Sequence, residues 1–272
     1  MHPRFVLSYS CLLLAFFLPL FSSPTHAAQV AAVLDGDTIR LSDGKTVRYF
    51  GINTPEYGQP FADEAKRYNE QLVLGKEVRV VPARRRPDAY KRVLAYVYIN
   101  NTLINTQLIL SGLAHVFILD PFDRSADWLR FQQDAQTRGK GMWHSGGVQG
   151  PLKITTVHAD ARGDDRKNPN GEYIRICNVS PRPVELTGFV VQDEKQHRYV
   201  FPTGSLRPGY TALLSSGPGP TTVQQGQYRF HWDTGPVWNN TGNTAFLFDP
   251  NGKQIDSFPV RRKRLTPPRQ AR

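Results

Sequence analysis

A mainly β chain with some α, folded as a small β-barrel packed against helices and followed by a β-sandwich, is what this sequence predicts. Three observations carry the prediction. Through residues 28–144, short β-branched runs are interspersed with three helical periodicities. Beyond residue 151, strand-like runs follow one another without a helical pattern. The 22 glycines and 21 prolines are too many for a helical bundle and mark turns instead. At 272 residues the chain has room for two ordinary domains.

Taken in order, residues 29–34, 38–41, 47–50, 77–81 and 93–99 read as strands, because each is rich in β-branched residues and bounded by turn formers. Phe61, Ala65, Tyr68 and Leu72 recur at helical spacing, and Gly75 stops that helix. Residues 103–110 form a second helix closed by Gly112. Trp128, Phe131 and Ala135 mark a third, ending at Gly139. Ser145-Gly146-Gly147 and Gly150-Pro151 make residues 145–150 a linker by composition. Residues 152–157, 172–178, 184–192, 199–201, 210–215, 244–249 and 255–258 then read as seven short strands, the density of a sandwich over 151–260.

The N-terminus has its own logic. A short basic start, an apolar run over residues 11–21 and Thr25-His26-Ala27 form the three-part pattern of a secretory signal peptide over residues 1–27. The apolar run is too short to span a bilayer. The expectation is export to the periplasm or outside the cell, with no transmembrane segment after cleavage. Cys177 is then the only thiol, since the other cysteine is Cys11, which excludes a disulfide framework and an all-cysteine metal site.

Charge is unevenly placed. Lys and Arg number 34 against 23 Asp and Glu, a net +11. The two folded halves are near balance, whereas residues 261–272 carry six cations and no acid. That basic tail reads as a solvated, disordered segment able to neutralise phosphates without reading sequence.

The chemistry sits in a conjunction of short segments. Asp35-Gly36-Asp37-Thr38 alone is an ordinary hairpin turn, and Asn53-Thr54-Pro55-Glu56 alone is a helix cap. Together they flank a strand bearing Arg48 and precede the basic strand opening Tyr90-Lys91-Arg92. Phosphodiester hydrolysis needs this inventory: oxygen donors for a hard cation, guanidinium groups for the charge developing on phosphorus, and a carboxylate to orient or deprotonate water.

Through Asp35-Gly36-Asp37-Thr38, Val47-Arg48, Thr54-Pro55-Glu56, Tyr90-Lys91-Arg92-Val93-Leu94-Ala95 and Ser111-Gly112-Leu113-Ala114, residues 29–143 resemble the thermonuclease family. The resemblance implies a five-stranded OB-fold barrel with three helices and calcium-dependent hydrolysis of DNA and RNA. Carried over by position, Asp37, Asn53 and the Thr54 carbonyl would hold Ca2+, with Asp35 in support. Glu56 would position or activate water, and Arg48 and Arg92 would contact the reacting phosphate. Tyr90, Lys91, Arg84 and Arg85 would grip nucleic acid. Two departures stand out. Asn53 occupies a position where the family usually has aspartate, removing one negative charge from the cation site. Two pocket tyrosines of the best-known family pattern align with Ile118 and Asp120.

The second half resembles the lamin tail domain family through Gly171-Glu172-Tyr173-Ile174, Val184-Glu185-Leu186-Thr187-Gly188-Phe189, Leu206-Arg207-Pro208-Gly209 and Val237-Trp238-Asn239-Asn240. That resemblance implies an immunoglobulin-like sandwich without catalysis, and the role of this half stays open among nucleic-acid docking, envelope attachment and spacing. The leading expectation is an exported calcium-dependent nuclease. The alternatives are a catalytically weak or inactive nucleic-acid-binding protein and a cell-envelope scaffold.

Overall fold

In the computed structural model, residues 26–161, 163–164, 166–238 and 242–260 are described. Most of the expected signal peptide, the basic tail, and Asn239 and Asn240 lie outside them.

The first half contains β1 (His26–Val33), β2 (Thr38–Leu41), β3 (Thr46–Tyr49), β4 (Ile52–Asn53), β5 (Glu77–Pro82), β6 (Val93–Ile99), β7 (Thr102–Leu103) and β8 (His115–Val116). Six of them run in the order β3-β2-β1-β5-β6-β7, while β4 pairs with β8 separately, and a parallel β3–β6 pairing closes the ring into a five-stranded barrel of the OB type. Alternation drives the closure: on β5, Val78 and Val80 are buried while Glu77 and Arg79 are exposed. A bulge between Val30 and Ala32 shifts the β1–β2 register, the usual device for bending a barrel strand.

Three helices pack on the barrel: α1 (Ala62–Val73), α2 (Ile104–Leu110) and α3 (Ser125–Thr137). On α1 the buried residues Ala62, Ala65, Asn69 and Val73 form a single stripe. Asp63 and Glu64 in its first turn suit the helix dipole, and Gly75 follows its end at φ 72°. Trp128 of α3 packs edge-on against Tyr96 and Phe122.

The second half contains β9 (Leu152–His158), β10 (Tyr173–Asn178), β11 (Val184–Glu185), β12 (Val190–Gln192), β13 (Arg198–Val200), β14 (Ser205–Leu206), β15 (Thr211–Ser215), β16 (Thr222–Gln224), β17 (Gln227–His231), β18 (Asn243–Phe248) and β19 (Gln254–Val260). A five-stranded sheet β16-β17-β15-β10-β9 and a four-stranded sheet β13-β12-β18-β19 make the sandwich. The continuous strand expected over residues 184–192 is split into β11 and β12, because Gly188 turns the chain at φ 85°. β17 was not expected; it runs parallel to β15 and buries Phe230.

The halves do not hang on a free linker. Val148 N donates to Met142 O at 2.8 Å, and a Cβ on Gly147 would lie 1.9 Å from that same oxygen. Ile118 forms an isolated parallel bridge to Tyr210, and its amide donates to Gly209 O at 2.9 Å. Gln132 and Gln136 of α3 both donate to Val179 O, at 2.9 and 2.6 Å. One hydrophobic cluster runs from Val30 to Val260 through both halves.

His115 and Cys177 meet at this seam. His115 Nδ1 lies 2.9 Å from Val116 O and 3.9 Å from Cys177 Sγ, and its Nε2 is buried without a partner among the described residues. Burial lowers the imidazole to a pKa of about 3, well below its ordinary 6.5, and pushes the Cys177 thiol up. Between those two imidazole values the unfolded chain binds a proton that the folded protein rejects, so this residue makes stability fall as pH drops. Urea midpoints from pH 7 to pH 4 should therefore decline less steeply in His115→Asn than in the parent; equal slopes would exclude the assignment.

Candidate active site

The turn from β1 to β2 is built around Gly36. Asp37 N donates to Asp35 Oδ1 at 3.0 Å, while Asn69 of α1 donates to Asp35 O at 3.3 Å and accepts from Tyr49 Oη at 2.9 Å. A Cβ on Gly36 would lie 2.6 Å from Thr54 Oγ1 and 2.8 Å from Ala65 Cβ. The glycine thus lets the turn close onto Thr54, just after β4. Gly36→Ala should cost about 1–3 kcal/mol by overpacking. It should also cost about 10²-fold in activity by displacing Thr54 from Asp37. Urea unfolding and a cleavage assay read the two effects separately, and an unchanged activity would refute the coupling.

Asp37 is 3% exposed and densely bonded. Its Oδ1 receives Arg48 Nε at 3.0 Å and Thr38 Oγ1 at 3.2 Å, and its Oδ2 receives Thr54 N at 2.8 Å and Thr54 Oγ1 at 3.1 Å. Burial raises its pKa against the opposing pull of Arg48, and the neighbouring Asp35 and Glu56 charges raise it further.

Arg48, 9% exposed, is the hub. Nη1 donates to Tyr49 O at 2.8 Å and Ile52 O at 3.0 Å, and Nη2 donates to Asn53 Oδ1 at 2.8 Å. With Nε on Asp37, one Nη2 hydrogen is left for a ligand. Asn53 in turn donates from Nδ2 to Thr54 O at 3.0 Å.

Glu56 differs from Asp37 in one decisive respect: its carboxylate has no hydrogen bond or ion pair among the described residues. Burial raises its pKa, Asp35 adds to the rise, and Arg48, Arg92 and Lys153 oppose it. Its backbone is fixed from outside the barrel, since Glu56 N donates to Gln59 Oε1 at 2.9 Å and Gln59 Nε2 donates to Ser257 O of β19 at 3.3 Å.

Arg48, Asn53, Glu56 and Arg92 line one cavity of about 750 Å³. Arg92 is held by Asp88, with its Nε and Nη2 each 2.8 Å from Asp88 Oδ2. Arg84 and Arg85 line the same cavity, as do Tyr90 and Arg86. Arg84 pairs with Asp120, which partly neutralises it. Lys91 is exposed at φ 63° and lies outside the cavity lining. Sequence reasoning missed Gln59 and Lys153, which bear on Glu56 from the seam, and Thr156, Tyr173 and Arg175, which line the cavity from the sandwich.

The donors fit a hard cation in kind, with carboxylate, amide and carbonyl oxygens, and beyond burial the Asp35 charge raises the proton affinity of both Asp37 and Glu56. They do not form a ready cage. Among the described residues no three or more His, Cys, Asp or Glu side chains are placed to hold a metal ion, and the Asp37 oxygens already serve Arg48, Thr38 and Thr54.

A closed OB-type barrel presenting two arginines and an uncommitted glutamate in one cleft, joined to an immunoglobulin-like sandwich, defines a phosphodiester-hydrolysing nuclease with an appended β domain. The staphylococcal nuclease homologue family profile matches residues 46–145, and the lamin tail domain profile matches residues 147–261. An uncharacterized endonuclease of Haemophilus influenzae is 33% identical over 144 residues, covering 52% of this chain and 79% of that protein. The thermonuclease of Staphylococcus intermedius is 32% identical over 124 residues, 42% of this chain and 74% of that protein. Endonuclease YncB of Bacillus subtilis is 34% identical over 126 residues, 42% of this chain and 60% of that protein. The chain belongs to the family of staphylococcal nuclease homologues.

Proposed function

We propose that the protein is an exported, calcium-dependent nuclease that hydrolyses DNA and/or RNA at the Arg48–Glu56–Arg92 cleft. One observation carries the reading: Glu56, alone among the acids near Arg48, offers a carboxylate uncommitted among the described residues, in the cavity shared with Arg48 and Arg92. In that position it can hold a water for in-line attack and accept its proton. The remaining Nη2 hydrogen of Arg48 and the Asp88-anchored fork of Arg92 meet the charge that develops on the phosphoryl oxygens.

Asp37 and the carbonyl of Thr54, assisted by Asn53, would hold the cation, which when bound supplies further positive charge beside those oxygens. Asn53 in place of a second carboxylate supports weak calcium affinity, on the order of 10⁻⁴–10⁻³ M as in extracellular modules. Export rests on the three-part N-terminal pattern. Among the described residues no helix is long and apolar enough to cross a membrane.

The test incubates the protein with single- and double-stranded DNA and RNA, with calcium or with chelator, beside Glu56→Gln. Cleavage should require calcium, and the variant should lose about 10²–10⁴-fold in rate. Binding without cleavage would select the catalytically inactive alternative.

A further inference from the structure

One wall of the catalytic cavity belongs to the sandwich: Thr156, Tyr173 and Arg175 line it. The strand geometry puts them together. Tyr173 and Arg175 stand two residues apart on β10 and share a face, while Ile174 and Ile176 point the other way and are buried. Thr156 pairs with Arg175 and His158 with Tyr173 across the β9–β10 ladder.

The chemistry of that face is suited to a nucleotide. Tyr173 lies flat on His158, with ring centroids 5.1 Å apart and planes 3° apart. Tyr90 lines the same cavity, and its hydroxyl is pushed up to about 12, first by burial and then by the hydrogen-bonded Tyr173 phenol. The Arg92 guanidinium carbon lies 5.2 Å from the centre of the Tyr90 ring. Tyr90 beside Arg92 and Tyr173 on the sandwich therefore meet through their hydroxyls across the cavity.

Arg175 is pre-set beside it. Its Nη1 donates to Thr211 Oγ1 at 2.9 Å, and that hydroxyl donates to Gln227 Oε1 at 2.6 Å. Arg175 makes no ion pair among the described residues. Burial lowers its pKa, Tyr173 opposes the shift, and Arg229 adds to it. A partly buried guanidinium without a carboxylate is stabilised by an anion delivered from solution.

We propose that Thr156, Tyr173 and Arg175 form a nucleotide subsite that the sandwich contributes to the cleft, Arg175 binding a phosphate adjacent to the scissile one and Tyr173 stacking on a base of the same strand. The inference rests on the nuclease reading and deepens it: the aromatic grip that Ile118 and Asp120 do not supply comes from the second half of the chain.

The experiment uses the full chain with Tyr173→Leu, Arg175→Gln and Arg175→Lys, and a short labelled oligothymidylate as probe. Tyr173→Leu and Arg175→Gln should each raise KM about tenfold with kcat changed by less than about threefold, the scale of one lost stacking or phosphate contact. Binding of the same probe, measured with chelator over a range of salt, separates contact from scaffold. Arg175→Gln should flatten the log–log salt slope by about 0.7, the value of one single-strand phosphate. Arg175→Lys should keep the slope, and Tyr173→Leu should weaken binding without changing it. KM shifts below twofold in both variants, or an unchanged slope in Arg175→Gln, would overturn the subsite. A parent protein that does not cleave, or a Glu56→Gln that cleaves equally well, would instead sink the nuclease reading, and the binding measurements would still decide the subsite.

Discussion

Arg48→Ala is expected to lose about 10³–10⁵-fold in cleavage rate, the scale of a phosphoryl-transfer arginine. It should also lose about 3–5 kcal/mol of folding stability, because removing one partner leaves a buried charge uncompensated. The two losses have one origin. Arg48 holds the buried Asp37 through Nε, fixes the backbone of β3 and β4 through Tyr49 O and Ile52 O, and orients Asn53 through Nη2. A lysine has neither the fork nor the reach to make these bonds together, so Arg48→Lys should recover charge but little of either quantity. Arg92→Ala provides the contrast. Its partner Asp88 is nearer the surface and also receives the amides of Tyr90 and Arg92, so stability should change little while activity falls steeply. Urea denaturation beside single-turnover cleavage checks both. An Arg48→Ala protein within tenfold of parental activity would remove the residue from the chemistry.

What the sequence makes legible follows from how each contact is encoded. The barrel strands are encoded by short β-branched runs between turn formers and the helices by apolar residues at helical spacing, and the structure places them where those patterns fall. Asp37, Arg48 and Glu56 stand within twenty residues of one another, on two turns and the strand between them, so their order along the chain foreshadows their convergence. Arg92 and the Arg84–Arg86 run reach the cavity because β6 pairs in parallel with β3, a non-local contact that motif spacing suggests but periodicity does not. Lys91 shows the limit: in a turn at positive φ, it is exposed and outside the cavity lining although both neighbours line it. Tyr173 and Arg175 were illegible for a different reason. Alternation on β10 says that they face away from the sandwich core, and nothing local says what they face. Gln59 is similar, since its role beside Glu56 depends on a carbonyl of Ser257 almost two hundred residues later.

The interlocking of barrel and sandwich leads to the second large effect. Residues 145–150 read as a linker by composition, yet Val148 and Gly147 pack on Met142, and Gly150 sits against Ile255. Ile118 is buried under Gly209 and Tyr210, and Gln227 donates to its carbonyl at 2.7 Å. Ending the chain at residue 150 would uncover Ile118 and Met142, at about 1.5–3 kcal/mol for each apolar side chain. It would also free Gln59, Gln132 and Gln136 from their sandwich partners. The summed loss is a large share of the roughly 5–15 kcal/mol that holds an ordinary domain folded. The full chain should therefore unfold in urea as one cooperative unit. Tryptophans on both sides, Trp128 and Trp143 in the first half and Trp232 and Trp238 in the second, should report coincident transitions. The truncated barrel should show a lower midpoint and, because Glu56 loses its Gln59-mediated anchor, a lower activity per folded molecule. Two separated transitions in the full chain, or a truncated barrel as stable and active as the parent, would show that the halves are independent and that the shared wall of the cleft has no energetic consequence.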